Sequence, residues 1–142
     1  MKAVVRRIGG VAMVGKADSG HWVPMDGPED VGGFTGGSRP LELFLIGLGG
    51  CTGMDVLSIL AKKRVKLDDF EIQLEADRAD EHPKVFTAVR LVFHFYGDDL
   101  RLEELQSAVD LSEQKYCSAS AMLRSTCPVD VRIEIHPPRP AR

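Results

Sequence analysis

The spacing of apolar residues changes several times along the chain, and each change marks an element. Residues 3–8 and 11–17 are short apolar-rich runs joined at Gly9-Gly10, and residues 21–25 follow a Ser19-Gly20 turn. This predicts a three-strand meander. Residues 26–38, DGPEDVGGFTGGS, have five glycines, one proline and no periodicity, so they read as a loop that delivers the chain to Pro40.

Residues 40–65, PLELFLIGLGGCTGMDVLSILAKKRV, predict a long helix. Pro40 suits a first helical position, where its missing N–H would be unpaired anyway, and Glu42 adds negative charge to the positive end of the helix dipole. Leu41, Phe44, Leu45, Leu48, Cys51, Asp55 and Ser58 follow three- and four-residue steps. Leu43, Ile46, Met54, Val56, Leu57, Ile59 and Leu60 fill most other faces, and a helix apolar nearly all round must be covered nearly all round. Gly47, Gly49, Gly50 and Gly53 surround Cys51 although each glycine costs roughly 1 kcal/mol relative to alanine. They predict a close crossing by another element beside that cysteine.

Period two returns after the helix. Phe70, Ile72, Leu74 and Ala76 alternate with acidic and polar residues, a strand with one buried face. Residues 85–96 are apolar on both faces and predict a central strand, with His94 packed and hydrogen-bonded inside it. Residues 98–110 have helical spacing, with Asp98 or Asp99 available as the cap. The pattern weakens over 112–117, and a short third helix resumes over 118–125, starting close to Cys117. Pro128 then opens a last strand in which Val129, Val131, Ile133 and Ile135 alternate with polar residues, and the tail PPRPAR reads as frayed. The order β-β-β-α-β-β-α-α-β, without a regular βαβ rhythm, predicts one α+β domain over 1–142, with an antiparallel sheet packed on the long helix.

Composition removes several functions. Lys and Arg total 18 against 21 Asp and Glu, only 6% of residues are aromatic, and no basic run occurs, so nucleic acid is not an expected partner. Two arginines interrupt MKAVVRRIGG where a signal peptide would be apolar, which predicts a cytoplasmic protein. The uncharged run 43–54, twelve residues between Glu42 and Asp55, falls short of the roughly 18 that a membrane span needs. No membrane role is expected.

Cys51, Cys117 and Cys127 are the three cysteines, without CxxC spacing, and His21, His82, His94 and His136 show no HxxxH pair. Neither a disulfide scaffold nor a metal or cofactor site is expected, which leaves inert burial or thiol chemistry for the cysteines.

The run GGSRPLELFLIGLGGCTGMDVLSIL, followed after two strands by VDLSEQKYCSASAML, resembles the OsmC/Ohr family of osmotically inducible and organic hydroperoxide resistance proteins. The likeness extends from the meander to the last strand and includes a proline separated from Cys51 by ten residues and a second cysteine, Cys117, six before Leu123. It implies an intertwined homodimer in which antiparallel sheets wrap two central helices. It implies, further, a thiol-dependent peroxidase acting on organic hydroperoxides in oxidative or osmotic stress. Cys51 would be the peroxidatic thiolate and Cys117 the resolving thiol, with Cys127 structural. A dithiol, for parts of the family a lipoylated protein, would be the reductant. Family members carry an arginine in the hairpin region and a glutamate directly after the proline. Here Leu41 follows Pro40 and no arginine lies within 21–34, so Arg39 and Glu42 are the nearest substitutes, with Arg6, Arg7 and Arg124 as further cations. Together with SGHWVPMDG and SEQKYCSASAML, these departures make the chain resemble the YhfA-like branch. The alternative reading is a non-enzymatic stress-related dimer that binds an apolar ligand between its subunits.

Overall fold

The computed structural model describes residues 1–139. They divide into two compact units, Met1–Ile46 and the remainder from Gly47, with the boundary inside a single long helix.

In the first unit, β1 (Ala3–Gly9), β2 (Ala12–Ala17) and β3 (Val23–Met25) form the expected antiparallel meander in the order β1-β2-β3. Gly10 turns the first hairpin at φ +53, a left-handed conformation that favours glycine, and a Cβ there would also meet the Gly32 carbonyl oxygen at 2.8 Å. The glycine-rich loop is ordered around one side chain. Asp26, 4% exposed, accepts the backbone N–H groups of Gly27, Phe34 and Gly36 at 2.7, 2.9 and 2.9 Å, and a 3-10 turn over Glu29–Val31 lies between them. These bonds, with a smaller contribution from the Arg39 charge, hold the Asp26 carboxyl below the ordinary carboxylate range.

The helix α1 (Pro40–Lys62) starts at the predicted proline. Glu42 reaches back to the Arg39 N–H at 2.8 Å, the reciprocal half of a capping box. The end falls three residues before the predicted one. Arg64 adopts φ 61, and Val65 N–H bonds the Leu60 carbonyl while Arg64 N–H bonds that of Ala61, a Schellman closure with arginine in the place glycine usually takes.

By length and composition α1 would pass for a membrane span. Leu48, Thr52, Val56, Ile59 and Leu60 are instead buried in protein, while Phe44, Ile46, Met54 and Leu57 are exposed at 53, 60, 70 and 41%. The chain therefore covers one side of this helix, not the whole circumference. The glycines divide likewise. A Cβ on Gly49 would meet Leu74 Cδ1 at 2.8 Å, and one on Gly53 would meet Ile72 Cδ1 and Phe70 Cε1 at 3.1 and 3.3 Å. Gly47 and Gly50 have nothing within 4 Å. The close approach predicted beside Cys51 is real for two glycines, and side chains rather than backbone make it.

In the second unit, β4 (Asp69–Arg78), β5 (Phe86–Tyr96) and β6 (Val129–His136) form the sheet β4-β5-β6, with β5 central as its two apolar faces require. Val89, Leu91, Phe93 and Phe95 are fully buried, and Phe70 packs against Phe95 with ring centroids 5.1 Å apart. Strands β4 and β5 are antiparallel, but β6 runs parallel to β5, so the all-antiparallel expectation is corrected to a mixed sheet. The reason is the crossover: α2 (Leu102–Leu111), a π-helical turn (Ser112–Tyr116) and α3 (Ser118–Arg124) lie between the two strands and carry the chain back to the end where β5 began.

Two local expectations also change. Helix α2 begins with Arg101 at the cap position and no side-chain cap bond, while Asp99 lies before it at φ 55, so neither Asp98 nor Asp99 caps the helix. The tail is not frayed throughout. Arg139 bonds Asp69 and Glu71 at 2.9 and 2.8 Å, contacts the Tyr96 hydroxyl, and stacks 3.7 Å over the Tyr96 ring; residues 140–142 lie outside the described residues.

Candidate active site

Cys51 stands on α1 one turn before Asp55, an acidic residue in an otherwise apolar stretch. Cys117 caps α3, its Sγ accepting the Ser120 N–H at 3.4 Å where a serine or aspartate oxygen would usually act. The crossover brings the two thiols together. The Cys51 and Cys117 sulfurs and an Asp55 carboxylate oxygen all lie within 4.8 Å of one another, and none of the three cysteines is in a disulfide.

The thiols differ in setting. Cys51 is partly exposed, whereas Cys117 is 2% exposed and hydrogen-bonded to the Thr52 hydroxyl at 3.1 Å. Burial pushes the Cys117 thiol above the ordinary thiol range, and the Cys51 sulfur pushes it further. The Thr52 hydroxyl and the Ser120 N–H oppose this without reversing it. Cys117 is thus held as a neutral thiol beside a more accessible one.

A polar network supports the pair. The Ser112 hydroxyl lies 3.5 Å from both the Thr52 carbonyl and Asp55 Oδ2. Glu113 accepts from the Ser120 hydroxyl at 2.5 Å and from Arg124 at 2.7 Å, and its other oxygen is buried without a partner. Arg124 also donates to the Val129 carbonyl at 3.0 Å. Glu113, Ser120 and Arg124 therefore tie the π-helical turn, α3 and β6 around the Cys117 cap. Thr52, Asp55, Ser112, Glu113 and Ser120 were not among the residues expected at the site. Asp55 had a signal in its isolation, and the weakened pattern at 112–117 marked the turn that carries Ser112 and Glu113.

The other predicted site residues belong to the first unit. Arg39 donates to the Asp26 carbonyl at 3.4 Å, and Glu42 is engaged as the helix cap. Arg7 bonds the Gly10 carbonyl at 2.7 Å, and Arg6 lies 5.8 Å from the Trp22 ring centroid. Cys127 is buried at 6% exposure just ahead of β6.

Residues 33–132 match the family described as OsmC-like protein. The chain belongs to the OsmC-like family. Protein YhfA of Escherichia coli K12 is 36% identical over 135 residues, spanning 95% of this chain and 98% of that protein. A crystal structure of a hypothetical protein from Aquifex aeolicus VF5 matches with a TM-score of 0.84 and 28% identity over 97% of each chain. The organic hydroperoxide resistance protein OsmC of Legionella pneumophila shares the fold, with a TM-score of 0.70 and 20% identity over 94% of this chain and 97% of that one. Proteins of this fold include ones named for organic hydroperoxide resistance, and the fold here, α+β with two small sheets and a long helix, is that of the OsmC-like structures.

Proposed function

We propose that the protein is a thiol-dependent peroxidase that reduces organic hydroperoxides, with Cys51 as nucleophile and Cys117 as resolving thiol. The observation that carries this reading is the approach of two unbridged sulfurs, one partly exposed and one buried with its thiol pushed toward the neutral form, to within 4.8 Å. The Cys51 thiolate attacks the distal oxygen of the O–O bond, giving up two electrons; Cys51 becomes a sulfenic acid, and the departing alkoxide takes a proton to become the alcohol. The Cys117 sulfur then attacks the sulfenic sulfur, water leaves, and a Cys51–Cys117 disulfide remains. The Asp55 carboxylate, within 4.8 Å of both sulfurs, would take the proton that Cys117 gives up through one bridging water. A dithiol from outside, a lipoylated protein among the candidates, returns both thiols.

Arg39 is kept from the resemblance as the proposed source of positive charge for the Cys51 thiolate; twelve residues of helix span about 18 Å, so it would act on Cys51 of a second copy, with Glu42 holding the Arg39 backbone at the helix start. An ordinary thiol titrates near about pH 8.5 and is only a few per cent ionised at neutrality, so a cation is needed for fast attack. The exposed Met54 and Leu57 of α1 support a homodimer as the working unit, since a second copy would cover these apolar side chains.

Counting thiols tests the chemistry. One equivalent of tert-butyl hydroperoxide should remove two thiols per chain in the wild type and none in Cys51→Ser; Cys117→Ser should lose one and give a dimedone adduct. Full retention of thiols under excess peroxide would overturn the proposal. It would favour instead a reduced, ligand-binding protein, for which the first unit offers an apolar cavity of about 480 Å³ lined by Val5, Val11, Met13, Met25 and Val31. Alkylation of Cys51 across pH separately tests Arg39, because a profile unchanged by Arg39→Ala removes it from the site.

A further inference from the structure

A second cluster of reactive groups lies at the C-terminal ends of β5 and β6, built from residues that the thiol site does not use. His94 pairs in register with Glu134 across the parallel strands, and His136, two residues on, projects from the same face. His94 Nδ1 lies 2.9 Å from His136 Nε2 and 3.3 Å from Glu134 Oε2, and the third side of the triangle, His136 Nε2 to Glu134 Oε2, is 3.7 Å. A point equidistant from three atoms so spaced is about 2 Å from each, which is the length of a zinc–nitrogen or zinc–carboxylate bond.

Protons alone serve this triangle poorly. The short contact between the two ring nitrogens has room for one N–H, and that same hydrogen would have to bend toward Glu134 to serve the carboxylate as well. A cation at the centre satisfies all three lone pairs at once. The His94 side chain is nine-tenths buried, and its other nitrogen, Nε2, is enclosed without a partner, so the ring's usable lone pair is the one in the triangle when Nε2 carries the proton. Tyr96 stacks on the His136 ring with centroids 4.7 Å apart, which fixes that ligand's plane. The neighbouring cation, Arg139, is tied to Asp69 and Glu71, so its charge is offset before it can repel a metal.

We infer that His94, Glu134 and His136 form a binding site for a borderline divalent transition metal of the zinc class. Two imidazoles and one carboxylate are the right donors for such an ion, and hard magnesium or calcium would demand more oxygen ligands. Glu134 and His136 are 53 and 32% exposed, which leaves the outer side open for a water or an exchangeable fourth ligand. The ligands come from neighbouring strands, as one residue plus an i, i+2 pair.

The test is titration of tag-free protein with Co²⁺ and Zn²⁺, followed by visible absorption and calorimetry. One metal per chain is expected, with cobalt d–d bands and no thiolate charge-transfer band in the near ultraviolet. His136→Ala should weaken binding at least tenfold, and so should Glu134→Gln, which keeps the side chain's size if the first variant folds poorly. Cys51→Ser should bind as the wild type does. No binding by the wild type, equal affinity in wild type and both site variants, or a thiolate band that disappears with Cys51→Ser would each overturn the inference.

Discussion

Both three-stranded sheets carry valine and isoleucine along their strands, with phenylalanine confined to the second, yet they stand in opposite surroundings. Every residue of β1 is exposed, with Val5 at 53% and Ile8 at 64%, whereas Val89, Leu91, Phe93 and Phe95 of β5 are at 0%. The second sheet has a core within its own chain. In the first, Val5 and Ile8 are more than half exposed among the described residues, and at about 25 cal/mol per Å² that surface is stabilising only once something covers it. The difference teaches that equal strand propensity does not give equal stability. Helix α1 repeats the contrast across its own axis, closed at Gly49 and Gly53 and open at Gly47 and Gly50.

The largest expected effect separates the sheets directly. Phe93→Ala should lower stability by about 3–5 kcal/mol, because it empties a fully enclosed site, while Val5→Ala in dilute protein should stay within about 0.5 kcal/mol. Denaturant midpoints for both variants measure this. A second copy that covers β1 would show itself as a Val5→Ala cost and a wild-type melting temperature that both grow with protein concentration.

Next comes the helix. Gly49→Ala should destabilise by about 1–3 kcal/mol, since the added methyl meets Leu74 inside normal contact. Gly50→Ala, toward open space, should gain up to about 1 kcal/mol from helix propensity. A loss at Gly50, read by thermal melts over a concentration series, would mean that another chain packs on that face.

The loop of the first unit supplies a pH test. Because the Asp26 carboxyl is lowered in the folded state, its contribution is present above about pH 4, the ordinary carboxylate value, and is lost as pH falls through the lowered one. Asp26→Ala leaves three N–H groups without their acceptor and should cost about 1–3 kcal/mol at neutral pH. Hydrogen exchange at Phe34 and Gly36 should accelerate in this variant and, in the wild type, under acid. Unchanged exchange in both would remove Asp26 as the organiser of the loop.

The smallest effect concerns the end of α1. Arg64→Gly should raise stability by up to about 1 kcal/mol, because glycine holds the φ 61 conformation without a Cβ penalty. A melting temperature that falls instead would mean that the arginine side chain contributes more than its backbone strain costs.

Much of this molecule was legible in the residues because it depends on local periodicity. The three-strand meander, the start of α1 at Pro40, the one-faced β4, the two-faced β5 and the break at 112–117 each follow from side chains that must reach the same surface at steps of two or of three to four residues. Cys51 stood out through its glycines and Cys117 through the resumption of helix just after it. What lay beyond the sequence was decided by contacts between distant segments. The direction of β6, the split of the glycines between Leu74 and open space, and the approach of Asp55 and Cys117 to Cys51 depend on how the crossover returns the chain. The same holds for His94, Glu134 and His136, which no single period links, since register between neighbouring strands sets which of them meet. Periodicity records which side of an element is buried; only the tertiary structure decides against what.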